Sequence, residues 1–320
     1  MEDIGDRLCY PNSPPAFIFP LPDAKHSCSL CLQSISILRA GINHIVHHFH
    51  RTGVSSIGNI GANMATSNSS VAYQLIYWPG GPGRGEHVRL ALEEAGASYS
   101  DTSRMENVME IVAAQMGEAN LGDKINPPPF APPILKHGDV VISQTPNILM
   151  YLGPKLGLSA SGTENDVYWI NALALTVLDG LSNEVHDCHH PIAKELYYED
   201  QKEESIRRSK EWVKDRLPKH LGYFEKVLKG DASGDGPWLY KGVLTYADLV
   251  LFHCLDGTMF QFPKACELAK KSGKFNRVFQ LYDAVKVRPN IAAYLTSDRR
   301  WAYSPLGIYR YYKELDVVAE

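Results

Sequence analysis

The sequence contains few cysteines, no surplus of basic residues and no long apolar segment. Its 320 residues include 6 cysteines, and 32 lysines and arginines stand against 36 aspartates and glutamates, for a formal net charge of -4. So few cysteines do not make a disulfide framework for a chain of this size, and we expect a reducing compartment, the cytoplasm. Without excess positive charge we expect no nucleic-acid partner. Without a run of about 18 apolar residues we expect no membrane segment.

The first part of the chain, residues 1–70, lacks the apolar periodicity of helices and strands and ends in a cluster of glycine, asparagine and serine. We predict a disordered N-terminal extension there. The extension contains the zinc-finger spacing C-x2-C-x12-H-x3-H. The residues with that spacing are Cys28, Cys31, His44 and His48. Gly41 stands where such fingers usually place a leucine, and Met64 offers an alternative start of translation, so we expect no metal in this extension.

A glycine-rich turn follows the first strand-like segment, in the stretch LIYWPGGPGRGEHVRLALEEAG from Leu75 to Gly96. A strand, a turn and an amphipathic helix in this order are typical of a phosphate cradle. However, Glu86 stands where a dinucleotide site requires its third glycine, and there is no Walker lysine. The sequence therefore argues against a nucleotide site. On the helix we predict an exposed ion pair between Arg89 and Glu93, four residues apart.

Residues 71–158 carry strand and helix patterns in the order β-α-β-α-β-β-α. The first strand–helix–strand connection predicts a parallel pair, and the short link HGD predicts an antiparallel hairpin. This order is that of a thioredoxin-like α/β domain with a mixed sheet. Residues 159–320 are helical in pattern throughout, and we predict an all-α domain there. Within it, Thr245 and Asp248 form a capping box that starts a helix.

The glycine-turn stretch, together with PPILKHGDVVISQTPNILMYLG, resembles the glutathione-binding domain of the soluble glutathione transferases, specifically the tyrosine-type alpha, mu, pi and sigma classes. The resemblance extends over residues 71–320. It implies a cytosolic homodimer that conjugates the glutathione thiolate to small hydrophobic electrophiles, with glutathione as co-substrate and no cofactor. Two alternatives stay open. One is a glutathione-dependent isomerase or peroxidase that uses the same site, and the other is a non-catalytic scaffold or ligand-binding module.

Tyr77, at the end of the first strand, matches the catalytic tyrosine of these classes. A thiol with a pKa near 8.5 is only a few per cent thiolate at pH 7, and the thiolate is the nucleophile. A hydroxyl that donates a hydrogen bond to the sulfur favours the charged form, and a shift of about two pKa units is worth roughly 2.7 kcal/mol. No serine or cysteine lies between Tyr77 and Val88, so the sequence does not support a serine-type or cysteine-type site.

The resemblance also implies which residues hold glutathione. Gln144 and Thr145 match the pair that holds its γ-glutamyl end, where a helix begins. Pro133 matches the cis-proline of the family, and the preceding residue, here Pro132, pairs its backbone with the cysteine of glutathione. The family makes two backbone bonds there, and Pro132 has no N–H, so either one of the two is missing or the register of the match is shifted by one residue. Arg84 matches the arginine that supports the tyrosine, in a turn one residue longer than the sigma-type pattern.

The stretch EVHDCHHP, from Glu184 to Pro191, contains three histidines, an aspartate and a cysteine, all of which are possible metal ligands. The chemistry of the resembled enzymes needs no metal, and we expect none here. A contribution to the pocket for the electrophile is the alternative.

Overall fold

The computed structural model describes residues 72–305 and 307–317. The predicted N-terminal extension, with its zinc-finger spacing, lies outside the described residues. Among the helices of the described part, none is long and apolar enough to cross a membrane.

Four short strands form one mixed sheet. They are β1 (Tyr73–Ile76), β2 (Tyr99–Asp101), β3 (Ile134–His137) and β4 (Val140–Ser143). Their order across the sheet is β2-β1-β3-β4, with β2 parallel to β1, and β3 antiparallel to both β1 and β4. The predicted parallel pair and hairpin are thus confirmed. The hairpin turn contains Gly138 at a φ of 61°, which glycine adopts without a steric penalty.

Three helices cover the sheet. They are α1 (Gly85–Glu94), α2 (Val108–Met116) and α3 (Thr145–Lys155). Successive strand residues point to opposite faces, so Leu75 packs against α1 and α3, whereas Ile76 packs against α2. The apolar cluster on the first face includes Leu75, Val88, Leu92, Leu135, Ile148 and Leu152. This arrangement is the predicted thioredoxin-like domain.

The rest of the described chain is helical, as predicted. Its helices are α4 (Asp166–Leu175), α5 (Asn183–Asp187), α6 (Lys202–Glu211), α7 (Leu217–Lys229), α8 (Tyr246–Gln261), α9 (Pro263–Lys271), α10 (Asn276–Lys286) and α11 (Pro289–Leu295). π-helical turns join α4 to α5 over Thr176–Ser182 and α6 to α7 over Trp212–Arg216. Pro218 follows the second of these turns. Because proline has no backbone N–H, it cannot donate the helical hydrogen bond to the carbonyl four residues earlier.

The central helix α8 begins at the predicted capping box. The backbone N–H of Thr245 donates to Oδ2 of Asp248 at 2.7 Å, and the Thr245 hydroxyl donates to the same oxygen at 2.8 Å. The other oxygen of Asp248 accepts from the backbone N–H of Leu239 at 2.8 Å. Complete burial raises the pKa of Asp248 to about 6 despite these bonds. The capping box therefore joins the start of α8 to the preceding loop in the helical core.

Candidate functional site

The register of the sheet brings three predicted site residues to one edge. The last row of paired residues across β1, β3 and β4 consists of Ile76, Ile134 and Ser143. Tyr77, Pro133 and Gln144 are each one residue beyond that row. Because neighbouring strands lie about 4.8 Å apart, these three residues lie side by side at the end of the sheet.

The glycine-rich turn folds back over the ring of Tyr77. The backbone N–H of Arg84 donates to the Tyr77 hydroxyl oxygen at 2.6 Å. A Cβ atom at Gly85 would lie 2.6 Å from Cγ of Tyr77, and one at Gly83 would overlap the hydroxyl. The glycines of the turn are therefore needed for the close approach of the backbone to the tyrosine.

Tyr77 is in its neutral form at pH 7. Burial raises the pKa of Tyr77 above its usual value of 10.0, although the Arg84 N–H and the charges of Arg84 and Arg89 oppose this rise. The hydroxyl oxygen already accepts a hydrogen bond from Arg84, so the hydroxyl proton remains for a second partner. A neutral phenol held in this way is suited to donate to an anion.

Arg84 supports Tyr77 through its main chain. Its guanidinium group extends to the helical domain, where Nη2 donates to Oδ1 of Asn183 at 2.5 Å. Arg84 therefore lies next to the tyrosine, as predicted. Its main chain contacts Tyr77, whereas its side chain links the turn to the first residue of α5.

Gln144 and Thr145 lie at the start of α3, as predicted, and the helix begins at Thr145. Gln144 has a φ of 72°, which is unfavourable for a residue with a side chain and is typical of functional sites. The hydroxyl of Thr145 is buried and has no hydrogen-bond partner among the described residues. The N–H groups of a first helical turn have no acceptor within the helix, so this end of α3 favours a carboxylate.

The peptide bond between Pro132 and Pro133 is cis, so Pro133 is the cis-proline that the resemblance implied. Both prolines are buried at the end of the sheet. Since Pro132 has no N–H, its backbone offers only a carbonyl oxygen to a ligand.

The predicted exposed ion pair between Arg89 and Glu93 is wrong. Arg89 is fully buried, and it donates from Nε to Oδ2 of Asp101 at 2.6 Å and from Nη1 to Oε2 of Glu86 at 3.3 Å. Glu93 instead pairs with Arg299 at 2.7 Å. The physical reason is that the segment after α11 covers the face of α1 on which these charges lie.

A buried charge network continues from Glu86, and sequence reasoning missed it. Glu86 accepts from Arg300 Nε at 3.1 Å and from the Tyr294 hydroxyl at 3.0 Å. Arg300 also donates to Asp256 of α8 at 2.9 Å. The network holds α1, whose first turn contacts Tyr77, against the helical core. The signal in the sequence was Asp256, a charged residue in the middle of α8 that the capping box at the start of the helix does not explain.

The histidines of EVHDCHHP come together, whereas its aspartate and cysteine do not join them. Asp187 pairs with Lys194, and the Cys188 thiol donates to the Glu184 carbonyl at 3.4 Å. Burial, with help from neighbouring positive charges, lowers the pKa of His186 to about 2, and burial lowers that of His189 to about 3. Both rings are therefore neutral at pH 7.

Comparisons with known proteins agree with this architecture. Residues 186–298 match the family model described as "Glutathione S-transferase, C-terminal domain". A glutathione S-transferase of Plasmodium falciparum is 26% identical over 235 residues, which is 72% of this chain and 98% of that protein. Glutathione S-transferase P 1 of Xenopus laevis is 26% identical over 230 residues, which is 71% of this chain and 93% of that protein.

A solved structure has the same fold. The Pi-class glutathione S-transferase of Onchocerca volvulus has a TM-score of 0.53 and 24% identity, covering 70% of this chain and 92% of that one. The family model and the two relatives support a glutathione S-transferase, and the solved structure shows the shared fold.

Proposed function

We propose that this protein is a tyrosine-type glutathione transferase that joins the sulfur of glutathione to small hydrophobic electrophiles. The observation that carries the proposal is the state of Tyr77. It is neutral, its oxygen accepts the Arg84 N–H at 2.6 Å, and its proton remains for a second acceptor. That acceptor is the glutathione sulfur. A hydrogen bond from Tyr77 stabilises the thiolate relative to the thiol and lowers the thiol pKa.

The reaction is a nucleophilic attack by this thiolate. The sulfur forms a bond to the electrophilic carbon, and a leaving group, where there is one, departs with its electron pair. The catalytic role of Tyr77 is to hold the sulfur in its anionic form before the attack. The step needs no cofactor other than glutathione as co-substrate.

Glutathione lies along the edge of the sheet that carries Tyr77, Pro133 and Gln144. Its γ-glutamyl carboxylate binds at the start of α3, where Gln144 and Thr145 supply side chains and the first helical turn supplies N–H groups. The Pro132 carbonyl accepts from the N–H of the cysteinyl residue. Arg84 contributes to this site by fixing the turn against Tyr77.

We also propose a domain boundary between residues 158 and 159. The last helix of the sheet domain, α3, ends at Lys155, and α4 begins at Asp166. The unpaired, buried thiols of Cys188, Cys254 and Cys266 agree with a reducing compartment, and we place the protein in the cytoplasm.

A homodimer is supported by large apolar side chains on the surface. Phe130, Tyr168 and Trp169 are 88%, 65% and 58% exposed. Tyr168 and Trp169 are adjacent in α4, and contiguous apolar patches mark interaction surfaces. Sedimentation velocity of the wild type and of Trp169→Glu tests this, since the proposal requires the wild type to sediment as a dimer and the variant to dissociate more readily.

The catalytic proposal is tested by binding to immobilised glutathione, followed by conjugation of an aryl halide by the wild type and Tyr77→Phe. We expect both proteins to bind, and the variant to conjugate about 25-fold more slowly at pH 7, because the thiolate fraction falls from about three quarters to about 3% when the thiol pKa returns from about 6.5 to about 8.5. Equal activity would show that Tyr77 is not the activating donor.

The same assay separates the alternatives. Binding by the wild type without conjugation, with turnover of a hydroperoxide or an isomerisable substrate, would indicate a peroxidase or an isomerase at this site. Binding without any turnover would indicate a non-catalytic module.

A further inference from the structure

Three histidines converge at the end of α5, and the proposed conjugation does not use them. His186 lies in the last turn of α5, and His189 and His190 follow it in the chain. Each offers a ring nitrogen, and these nitrogens all lie within 4.8 Å of one another. The ring centroids are 4.8 to 5.3 Å apart. We refer to these three residues as the histidine cluster.

One ring nitrogen of His189 is buried and has no hydrogen-bond partner among the described residues. Its side chain is completely buried, and Nε2 lies 2.8 Å from the carbonyl oxygen of Ile308. A carbonyl oxygen only accepts, so Nε2 carries the proton and Nδ1 holds the lone pair. Nδ1 has no hydrogen-bond partner in the part of the chain that the structure describes. A ring that donates one N–H to a backbone carbonyl and keeps its other nitrogen free is prepared to bind a metal.

His190 lies against the side chain of Gln201. Its Nδ1 is 3.1 Å from the amide nitrogen Nε2 of Gln201. The same amide nitrogen donates to the backbone carbonyls of Ala193 and Leu196 at 3.0 and 3.1 Å, and it fixes the loop that carries them. Because the two hydrogens of the amide can serve these two carbonyls, the Nδ1 lone pair of His190 is available to a metal when Gln201 donates to them.

A cation already lies against His186. The Lys194 ammonium nitrogen is 3.1 Å from Nδ1 of His186 and also pairs with Asp187. The Lys194 side chain is 51% exposed, so it can rotate into solvent. Arg310 is a second positive charge near His189 and His190.

We propose that the histidine cluster binds one divalent first-row transition ion of the zinc class, and that this ion takes the place of the Lys194 ammonium group. Neutral imidazoles suit zinc, copper and nickel, whereas magnesium and calcium prefer oxygen ligands, which the cluster does not supply. Three protein ligands leave an open coordination position for water or a small ligand. From the sequence we expected no metal at these histidines. The convergence of the three rings and the unpartnered Nδ1 of His189 indicate the site, and the inference does not rest on the proposed transferase activity.

The test uses the full-length chain. In every protein compared, the four residues of the N-terminal extension that have zinc-finger spacing are replaced, and so are the two other histidines of the same stretch. None of them then contributes to zinc binding. These replacements are Cys28→Ser, Cys31→Ser, His44→Gln, His47→Gln, His48→Gln and His50→Gln. Zinc alone is then titrated in competition with a chelating dye, and cobalt absorption reports the coordination.

We expect one zinc ion per chain, bound about tenfold or more less tightly by His186→Gln and by His190→Gln. His137→Gln is the matched control, because His137 bonds to Tyr151 outside the cluster, and it should bind zinc normally. Lys194→Met removes the competing cation and should bind zinc more tightly, about threefold or more. This variant changes an exposed side chain, so it keeps the test valid if a histidine variant fails to fold. Unchanged zinc binding in His186→Gln and His190→Gln, or no effect of Lys194→Met, would overturn the proposal.

Discussion

The hydroxyl oxygen of Tyr77 accepts a hydrogen bond from the backbone nitrogen of Arg84, seven residues further along the chain, at 2.6 Å. This bond closes the glycine-rich turn and places the hydroxyl beside the first turn of α1. The amino-terminal end of a helix carries partial positive charge, which stabilises negative charge near it. The glycine-rich turn therefore positions the tyrosine. Its close packing on the ring explains the glycines without a bound nucleotide phosphate.

The pH dependence of the bound thiol follows from this geometry. If Tyr77 donates to the sulfur as proposed, we expect the thiol pKa of bound glutathione to lie about two units below the ordinary value of about 8.5. In Tyr77→Phe it should return towards that value, so that activity at pH 7 falls and is recovered as the pH rises. Ultraviolet titration of the bound thiolate measures this shift.

Tyr73→Phe is the matched control for that titration. Tyr73 lies on the same strand, and its ring packs against His137 with the centroids 4.3 Å apart. Its hydroxyl is not part of the proposed site, so the thiol pKa should stay at the wild-type value. A shift of equal size in both variants would contradict a specific role for Tyr77.

Substitution of Gly85 tests the close packing of the turn. A methyl group at this position would meet Cγ of Tyr77 at 2.6 Å, so the ring must move. We expect Gly85→Ala to lose about tenfold or more in conjugation rate and about 1 to 3 kcal/mol in the free energy of unfolding. Gly222→Ala is the control, because the nearest atom, on Phe275, would be 3.9 Å away. Urea unfolding and aryl-halide kinetics of the two variants provide the comparison, and wild-type activity in Gly85→Ala would refute the packing argument.

The order of strands and helices could be predicted because each element carries a local signal. The capping box of Thr245 and Asp248 marks the start of α8 within four residues of sequence, and HGD marks the hairpin. The row of Tyr77, Pro133 and Gln144 at one edge also follows from strand order once the motifs are aligned. Local chemistry and strand register therefore determine most of the candidate site.

The partners of the charged residues could not be predicted, because they come from distant segments. Arg300 is 214 residues from Glu86 in the chain, and Asn183 is 99 residues from Arg84. A spacing of four residues, as between Arg89 and Glu93, looks the same on an exposed helix face and on one that another segment covers. Only the tertiary structure distinguishes the two cases.

The unpaired hydroxyl of Thr145 gives a prediction about affinity. If it binds glutathione, Thr145→Val should raise the KM for glutathione about three- to tenfold, the effect of one lost hydrogen bond, with little change in kcat. The free protein should be at least as stable as the wild type, because a buried polar group without a partner is removed. Thr145→Ser should restore the KM. The control is Thr176→Val, whose hydroxyl bonds to the Ala172 carbonyl in α4, and an unchanged KM in Thr145→Val would exclude the hydroxyl from the site.

The charge network predicts a strong effect of Arg300→Met on stability. The change leaves Glu86 and Asp256 without their shared cation in the protein interior, and breaking a buried pair in this way costs about 3 to 5 kcal/mol at pH 7. Arg299→Met is the matched control on the neighbouring residue. Arg299 is 58% exposed where it pairs with Glu93, so its loss should cost about 1 kcal/mol or less.

The effect of Arg300→Met should also depend on pH. In the wild type, burial acts to raise the pKa of Asp256, but Arg300 and the hydroxyls of Tyr303 and Tyr282 lower it overall. Its ionised form therefore stabilises the fold above its unfolded pKa of about 3.9, and this contribution is lost as the pH falls through the lower folded value. Without Arg300, we expect burial to dominate and to raise the folded-state pKa of Asp256 above its unfolded value. Protonation of Asp256 then removes an uncompensated buried charge, so the stability that the variant has lost is partly regained as the pH falls. Urea unfolding at pH 7 and pH 4.5 should show a smaller difference between the two proteins at the lower pH, and a difference independent of pH would mean that Asp256 does not depend on Arg300.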